Sequence, residues 1–212
     1  MSKSHDPRPA VPPPAGAPIS PGPAPGAAPI ISFRRLAPTD AISELTLLLH
    51  RAYAGQVKMG LRPLAGRQDD ATTRNRISNG ECFVGVHHTE GRQKLVGSIL
   101  FHEVEEAKGP PWFERPGVAS FSQLAVDPGY QGHGIGQTLM GLVEDRARET
   151  GATEIALSMA EPDTGLMQFY LKRGYRFVEH WQWPYTNYRS AILSKEIGQR
   201  GKPAAPRTTG SV

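Results

Sequence analysis

Residues Gln131 to Gly136 read Gln-Gly-His-Gly-Ile-Gly and stand between an alternating apolar run, Val118 to Val126, and a strongly amphipathic stretch that continues to Thr150. The first run predicts a strand and the second a helix with Ile135, Leu139, Leu142, Val143 and Ala147 on one face. Glycines at the junction remove the Cβ atoms that would block close approach, and the first backbone N–H groups of the helix have no partner of their own. Such a junction is a candidate anion cradle whose natural guest is a phosphate or pyrophosphate. A flexible loop running into a helix is the bland alternative, and a Gly-x-Gly-x-Gly run alone does not exclude it.

The surrounding pattern fills in an α/β domain. Ile31 to Leu36 reads as a first strand, and Pro38-Thr39-Asp40 supplies helix-starting chemistry ahead of Ile42, Leu45, Leu49 and Ala52 at helical spacing. Ala54 to Asp69 reads as a long irregular connection, the kind that carries function. A polar helix from Asp70 to Asn79 follows, stopped by Gly80. Cys82 to Val86 and Lys94 to Glu103 predict an antiparallel hairpin around Glu90-Gly91, with His87 and His88 as exposed residues beside the turn. After the glycine run and its helix come a strand over Glu154 to Ser158, a short helix over Thr164 to Arg173, a strand opening at Tyr175 and a last strand over Tyr188 to Lys195. The order β-α-α-β-β-β-α-β-α-β-β predicts a sheet that is mostly antiparallel in its first half and mixed in its second.

Only residues 31–197 have the composition of a domain. The first thirty residues carry ten of the twenty prolines and almost no large apolar side chain before Ile30, and residues 198–212 have the same look. Both ends are expected to be disordered tails, since such segments cannot bury enough surface to offset their ordering entropy. The tails hold five of the 24 basic residues (Lys3, Arg8, Arg200, Lys202, Arg207) and one of the 20 acidic ones (Asp6), which leaves 19 of each in the domain and accounts for the whole net charge of +4. A balanced domain is a poor footprint for a phosphate backbone, so no nucleic-acid partner is expected. Cys82 is the single cysteine, which excludes an intrachain disulfide and a thiolate cluster, and no His, Asp or Glu spacing suggests a metal. No apolar stretch reaches membrane-spanning length and the N-terminus lacks a signal-peptide core, so the expectation is a cytoplasmic protein with no membrane partner.

Leu124-Ala-Val-Asp-Pro, then Gln131-Gly-His-Gly-Ile-Gly with its helix, then Phe169-Tyr-Leu-Lys-Arg-Gly-Tyr-Arg-Phe together resemble the GCN5-related N-acetyltransferases (GNAT). The element order fits as well, and the most specific part lies between Val118 and Val178. The resemblance implies a GNAT-like mixed, mostly antiparallel sheet flanked by helices on both faces, with acetyl-CoA as cosubstrate. It implies that the strand over 118–126 splays from its neighbour at a bulge, with the pantetheine arm in the notch beside Leu124, Ala125 and Val126. The pyrophosphate would lie on the amides of the loop formed by Gln131, Gly132, His133, Gly134, Ile135, Gly136 and Gln137. Gln131, Gly134 and Gly136 match the family's Gln/Arg-x-x-Gly-x-Gly/Ala signature. Where the family often has an Asn touching the cofactor arm this chain has Asp163, for which a helix cap is the alternative. A Rossmann dinucleotide site is the runner-up for the loop. It fits less well, because hairpin signals precede the loop where βαβ units are needed. No Gly-Lys-Ser/Thr occurs, so a nucleoside-triphosphate loop is not supported.

Moving an acetyl group from a thioester to an amine requires a neutral amine, donors for the developing oxyanion and a proton for the departing thiolate. The resemblance implies Tyr170 as the acid, and a phenol stays protonated at neutral pH; packing beside Phe169 is the alternative for that ring. The backbone N–H of Leu124 is a candidate oxyanion donor. For the base, Glu103 and Glu105 stand at and just after the end of the third strand, with His102 on the opposite face of a regular strand, and a water chain is a further option. Walls for the acceptor are expected from Tyr53, Met59 and Leu61 and from Trp183 and Tyr185, which would suit an amine of a small molecule or a peptide with an apolar or aromatic body. A noncatalytic acyl-CoA-binding or regulatory domain would keep the same cradle, and a homodimer through sheet edges is common in such folds.

Overall fold

The computed structural model describes residues 29–198 except residues 90, 105, 107 and 108, and thirteen regular segments lie within them. In chain order these are β1 (Ile31–Arg35), α1 (Ile42–Lys58), a 3-10 turn (Leu64–Gly66), α2 (Asp70–Ile77), β2 (Glu81–Thr89), β3 (Arg92–His102) and β4 (Val118–Val126). A second 3-10 turn (Pro128–Tyr130), α3 (Ile135–Glu149), β5 (Glu154–Ala160), α4 (Thr164–Leu171), β6 (Arg176–Trp181) and β7 (Ser190–Glu196) complete them. The seven strands form one sheet in the order β1-β2-β3-β4-β5-β7-β6, antiparallel at every pairing except β4 with β5.

Alternation along the strands sends side chains to two cores. Phe83, Val96, Ile99, Phe101, Phe121 and Leu157 meet Ile135, Leu139, Met140 and Val143 of α3 and Tyr170 of α4 on one face. Cys82, Val84, Val86, Leu95 and Leu100 meet Leu45, Leu48 and Leu49 of α1 on the other. The helices therefore cover both faces, and at the end of β3 Phe101 looks toward α3 and Leu100 toward α1.

Two boundaries differ from the sequence reading in ways that matter for the site. Helix α1 does not stop near Ala52 but runs to Lys58, through Gly55, and ends where Gly60 takes a φ of +80°. Strand β2 continues past Val86 through His87 and His88, because polar partners satisfy both: His87 Nδ1 lies 2.8 Å from the Tyr130 hydroxyl and Ser32 Oγ lies 2.6 Å from His88 Nε2. Asp40 does not cap α1. It accepts from Ala37 N–H and holds Arg34 with both carboxylate oxygens, at 2.6 and 2.8 Å.

Candidate active site

Strands β4 and β5 pair only from Val118–Glu154 to Phe121–Leu157, although β4 runs on to Val126 and β5 to Ala160. They part at Gln123, whose φ of +53° is the one positive value among described non-glycine residues. On the other side β4 keeps register with β3 only by skipping Gln123 and Leu124: Ser122 pairs with Leu100 and Ala125 with Ser98. This bulge leaves the Leu124 backbone outside both ladder registers and opens a notch between β4 and β5. The notch belongs to a cleft of about 1470 Å³ that crosses the sheet from the glycine loop to the helix pair α1 and α2.

The glycine loop forms one end of the cleft. Gly134 caps α3 in the left-handed region, φ +75°, and Gly132 takes φ +82°; a Cβ at either would meet nothing within 4 Å. The first bond of the helix is Thr138 N–H to Gly134 C=O, which leaves the amides of Ile135, Gly136 and Gln137 without intrahelical partners at the cleft wall. Leu124, Ala125, Val126, Gln131, Gly132, Gly134, Ile135, Gly136 and Gln137 all line the cleft. His133 does not: its ring turns back onto the carbonyls of Tyr130 and Gln131, at 3.3 and 3.0 Å from Nδ1. Acetyl-CoA fits this end on the chain's own geometry, with an unobstructed glycine turn, free helix amides and an unladdered strand leading inward.

Midway along, Tyr170 of α4 lines the cleft while its ring packs among Phe121, Phe169 and Tyr175, with centroids 6.3, 5.3 and 5.7 Å away. Tyr175 shows the contrast, because its hydroxyl donates to Glu144 Oε1 at 3.0 Å. The Tyr170 hydroxyl makes no hydrogen bond among the described residues, and burial pushes its pKa well above the ordinary phenol value. It is a protonated donor facing a cavity. Asp163 caps α4, accepting from Leu166 N–H at 3.0 Å, and also takes 3.0 Å from Gln56 Nε2, so the added turn of α1 is latched to α4 across the cleft.

The candidate base positions resolve differently from expectation. Glu103 follows the last residue of β3 on the α3 side, where Arg146 Nη2 holds it at 3.2 Å, and it does not line the cleft. Glu105 lies outside the described residues. His102 sits on the Leu100 side of β3, which is the α1 side, and it does line the cleft. Its Nδ1 is 2.8 Å from the Asn79 carbonyl, and since a carbonyl only accepts, Nδ1 carries the proton. Nε2 is then the lone-pair nitrogen, 3.3 Å from Ser122 Oγ, a donor one residue before the bulge. Gly80 permits this approach: a Cβ there would fall 2.3 Å from the Phe101 carbonyl. Burial lowers the imidazole pKa, partly opposed by the Asn79 bond, so the ring is neutral at pH 7. Strand parity placed His102 and Glu103 on opposite faces, but only the packing of α1 shows which face carries the cleft.

At the opposite end, where acceptor walls are expected, Tyr53, Met59, Trp183 and Tyr185 line the cleft and Leu61 does not. Trp183 stacks on Tyr185 at 5.5 Å and anchors its Nε1 on Ser158 Oγ at 2.9 Å, while Trp181 joins Trp112 and Phe113 in a separate cluster. The connection after α1 and the β6–β7 turn close on each other through Arg67 Nη2 to Tyr185 C=O (2.7 Å), Arg62 N–H to Asn187 Oδ1 (2.8 Å) and Asn187 Nδ2 to Gly60 C=O (2.9 Å). Tyr188, expected within the last strand, precedes it and lines the cleft instead, as does Arg76 of α2. Cys82 is buried with its thiol pushed up to about 12, which removes it as a nucleophile.

A family model described as the acetyltransferase (GNAT) family matches residues 46–175, well over half the chain. The chain belongs to this family. Acetyl-CoA is the cosubstrate of GNAT enzymes. Solved structures with the same fold include the ribosomal-protein-S18-alanine N-acetyltransferase of Escherichia coli, at 15% identity and TM-score 0.59, covering 83% of this chain and 99% of that one. They also include a GNAT acetyltransferase of Staphylococcus aureus Mu50 at 16% and 0.59, covering 79% and 99%. A third is a GNAT acetyltransferase of Elizabethkingia anophelis with acetyl-CoA bound, at 14% and 0.51, covering 78% and 97%. A search of the curated proteins finds no match. Among the described residues no helix is long and apolar enough to cross a membrane, and no group of three or more His, Cys, Asp or Glu could hold a metal ion.

Proposed function

We propose that this GNAT domain is an acetyl-CoA-dependent N-acetyltransferase that moves the acetyl group directly to a primary amine of a small molecule or peptide. The observation that carries the reading is the shared cleft: the glycine turn, the β4 bulge, the free Tyr170 hydroxyl and the lone-pair nitrogen of His102 all face one cavity. The amides from Ile135 to Gln137 hold the pyrophosphate and the notch beside Leu124 to Val126 holds the pantetheine arm. When bound, the cosubstrate presents its thioester at the bulge, where the unladdered N–H of Leu124 steadies the charge that grows on the carbonyl oxygen.

A neutral amine attacks the thioester carbon. As the C–N bond forms, the nitrogen loses a proton to His102 Nε2, through the Ser122 hydroxyl that lies 3.3 Å from it or a water. As the C–S bond breaks, the electron pair leaves with sulfur and Tyr170 supplies the proton. His102 replaces Glu103 as base in this scheme, because an imidazole held neutral by burial can accept whereas Glu103 is engaged by Arg146.

Thiol release from acetyl-CoA with a panel of primary amines tests the reading. Amine-dependent release, slowed about tenfold or more in Tyr170→Phe, is expected. Tight acetyl-CoA binding with no release on any amine would instead identify a noncatalytic acyl-CoA-binding domain.

A further inference from the structure

Resting on the acetyltransferase reading, we infer that the acceptor is an amine bearing a carboxylate, as in an amino acid, and that Arg76 with the phenols around it is the carboxylate site. Arg76 lies in the last turn of α2 and lines the acceptor end of the cleft. Several arginines of this domain have carboxylate partners, Arg34 with Asp40, Arg51 with Asp127, Arg146 with Glu81 and Arg189 with Glu161, while Arg173 donates to the Phe169 carbonyl. Arg76 has none among the described residues. Its one side-chain hydrogen bond among the described residues runs from Nη1 to the neutral amide oxygen of Gln68 at 2.8 Å. A guanidinium has five donors in a planar fork, and one withdrawn from water without an anion is costly. The negative end of the α2 dipole favours a cation here but takes up none of its donors.

The surroundings suit an anion. Tyr53, Tyr185 and Tyr188 line the same cleft as Arg76, and none of their hydroxyls makes a hydrogen bond among the described residues. Arg76 is also held in place. Gln68 is 3% exposed and donates its amide to Thr73 Oγ1 at 2.8 Å and to Gln123 Oε1 at 3.1 Å, which forces Oε1 toward Arg76. Gln123 is the bulge residue itself, so one buried amide fixes the cation relative to the point where β4 opens. The other charges lining the cleft are disposed consistently. Glu106 acts on His102, Asp163 is taken up by Leu166 and Gln56, and Arg173 donates to the Phe169 carbonyl.

Matched pairs of amines test this directly, for example phenylalanine against phenethylamine and tyrosine against tyramine, with thiol release as the readout. The carboxylate-bearing member is expected to show the higher kcat/KM by about tenfold to hundredfold, the range of a charge-assisted fork. Arg76→Gln should raise KM for that member by a similar factor, leave the plain amine within about twofold and leave acetyl-CoA affinity unchanged, which also reports that the domain folds. Arg76→Lys, keeping charge without the fork, should recover part of the KM and serves if the Gln variant does not fold. Equal or better use of the amine lacking a carboxylate, or an equal loss on both members in Arg76→Gln, overturns the inference and leaves the acetyltransferase reading standing. Release with no amine of either kind overturns both.

Discussion

The glycine-loop end of the cleft is made from one continuous stretch, Leu124 to Gln137, and works through its backbone; the acceptor end is made from side chains of α1, α2, β3 and the β6–β7 turn, separated by up to 135 residues from Tyr53 to Tyr188. The first is a property of conformation: two left-handed glycines, a helix start and a bulge at φ +53°. The second depends on which side chains the fold happens to bring together. A backbone device tolerates side-chain change and fails on backbone change, while a side-chain device does the reverse. Each half can therefore be broken selectively.

The largest effect is expected at the junction of the two. Tyr170→Phe keeps the ring that packs on Phe121, Phe169 and Tyr175 and removes only the free hydroxyl, so fold and acetyl-CoA affinity should stay while kcat falls by roughly ten- to a thousandfold, around the range for a lost general acid. Steady-state rates at saturating acetyl-CoA measure this. A wild-type kcat would mean that the phenol serves packing alone.

His102→Gln comes next, with kcat/KM down by about tenfold to hundredfold because water can partly replace a base. The sign of its pH dependence follows from burial, which disfavours imidazolium and places the folded pKa below the ordinary 6.5. His102 is thus active above that lowered value and is switched off as pH falls through it. The wild-type profile of kcat/KM should contain an acid limb below pH 6.5 that the Gln variant lacks. A limb that survives the substitution would hand the role to another group.

Legibility in the sequence divides along the same line. Val118–Val126 was readable to the residue and α3 to within one, since strong alternation and strong amphipathicity each have one solution, and the glycine loop between them is local. The additional turn of α1 was hidden because Gly55 and polar Gln56 look like loop, yet Gln56 reaches Asp163, a contact 107 residues distant. His102 was readable as the opposite face from Glu103 but not as the cleft face, which depends on α1 packing over Leu100. Arg76 belongs to a helix that reads only as polar, and Tyr188 reads as the start of a strand that in fact opens at Ser190. No local pattern marks a residue whose function comes from neighbours far along the chain.

In the backbone half, Gly134→Val should weaken acetyl-CoA binding by about tenfold, since forcing a side chain into the left-handed region costs roughly 1–2 kcal/mol. The cause differs from a simple filled space, because a Cβ at Gly134 meets nothing within 4 Å. Titration calorimetry of the variant against Gly134→Ala separates the two causes: backbone strain penalises both. A severe loss confined to Val would instead mean that bulk, and not φ, sets the affinity.

The smallest effect sharpens the contrast most. His133 sits in the middle of the loop and carries the one side chain there that could offer a phosphate a positive charge, yet its ring folds back on the Tyr130 and Gln131 carbonyls and away from the cleft. If the pyrophosphate is held by amides alone, His133→Ala costs no more than an ordinary exposed substitution, within about 0.5 kcal/mol, so the acetyl-CoA dissociation constant should move by about twofold or less. Salt provides the second reading, because a lost ionic contact would flatten the dependence of affinity on ionic strength, whereas backbone amides leave that slope as it is. A tenfold loss with a flattened salt dependence would show the imidazole swinging in to meet the phosphate. The glycine-loop end would then be a side-chain device like the acceptor end, and the division between the halves would fail.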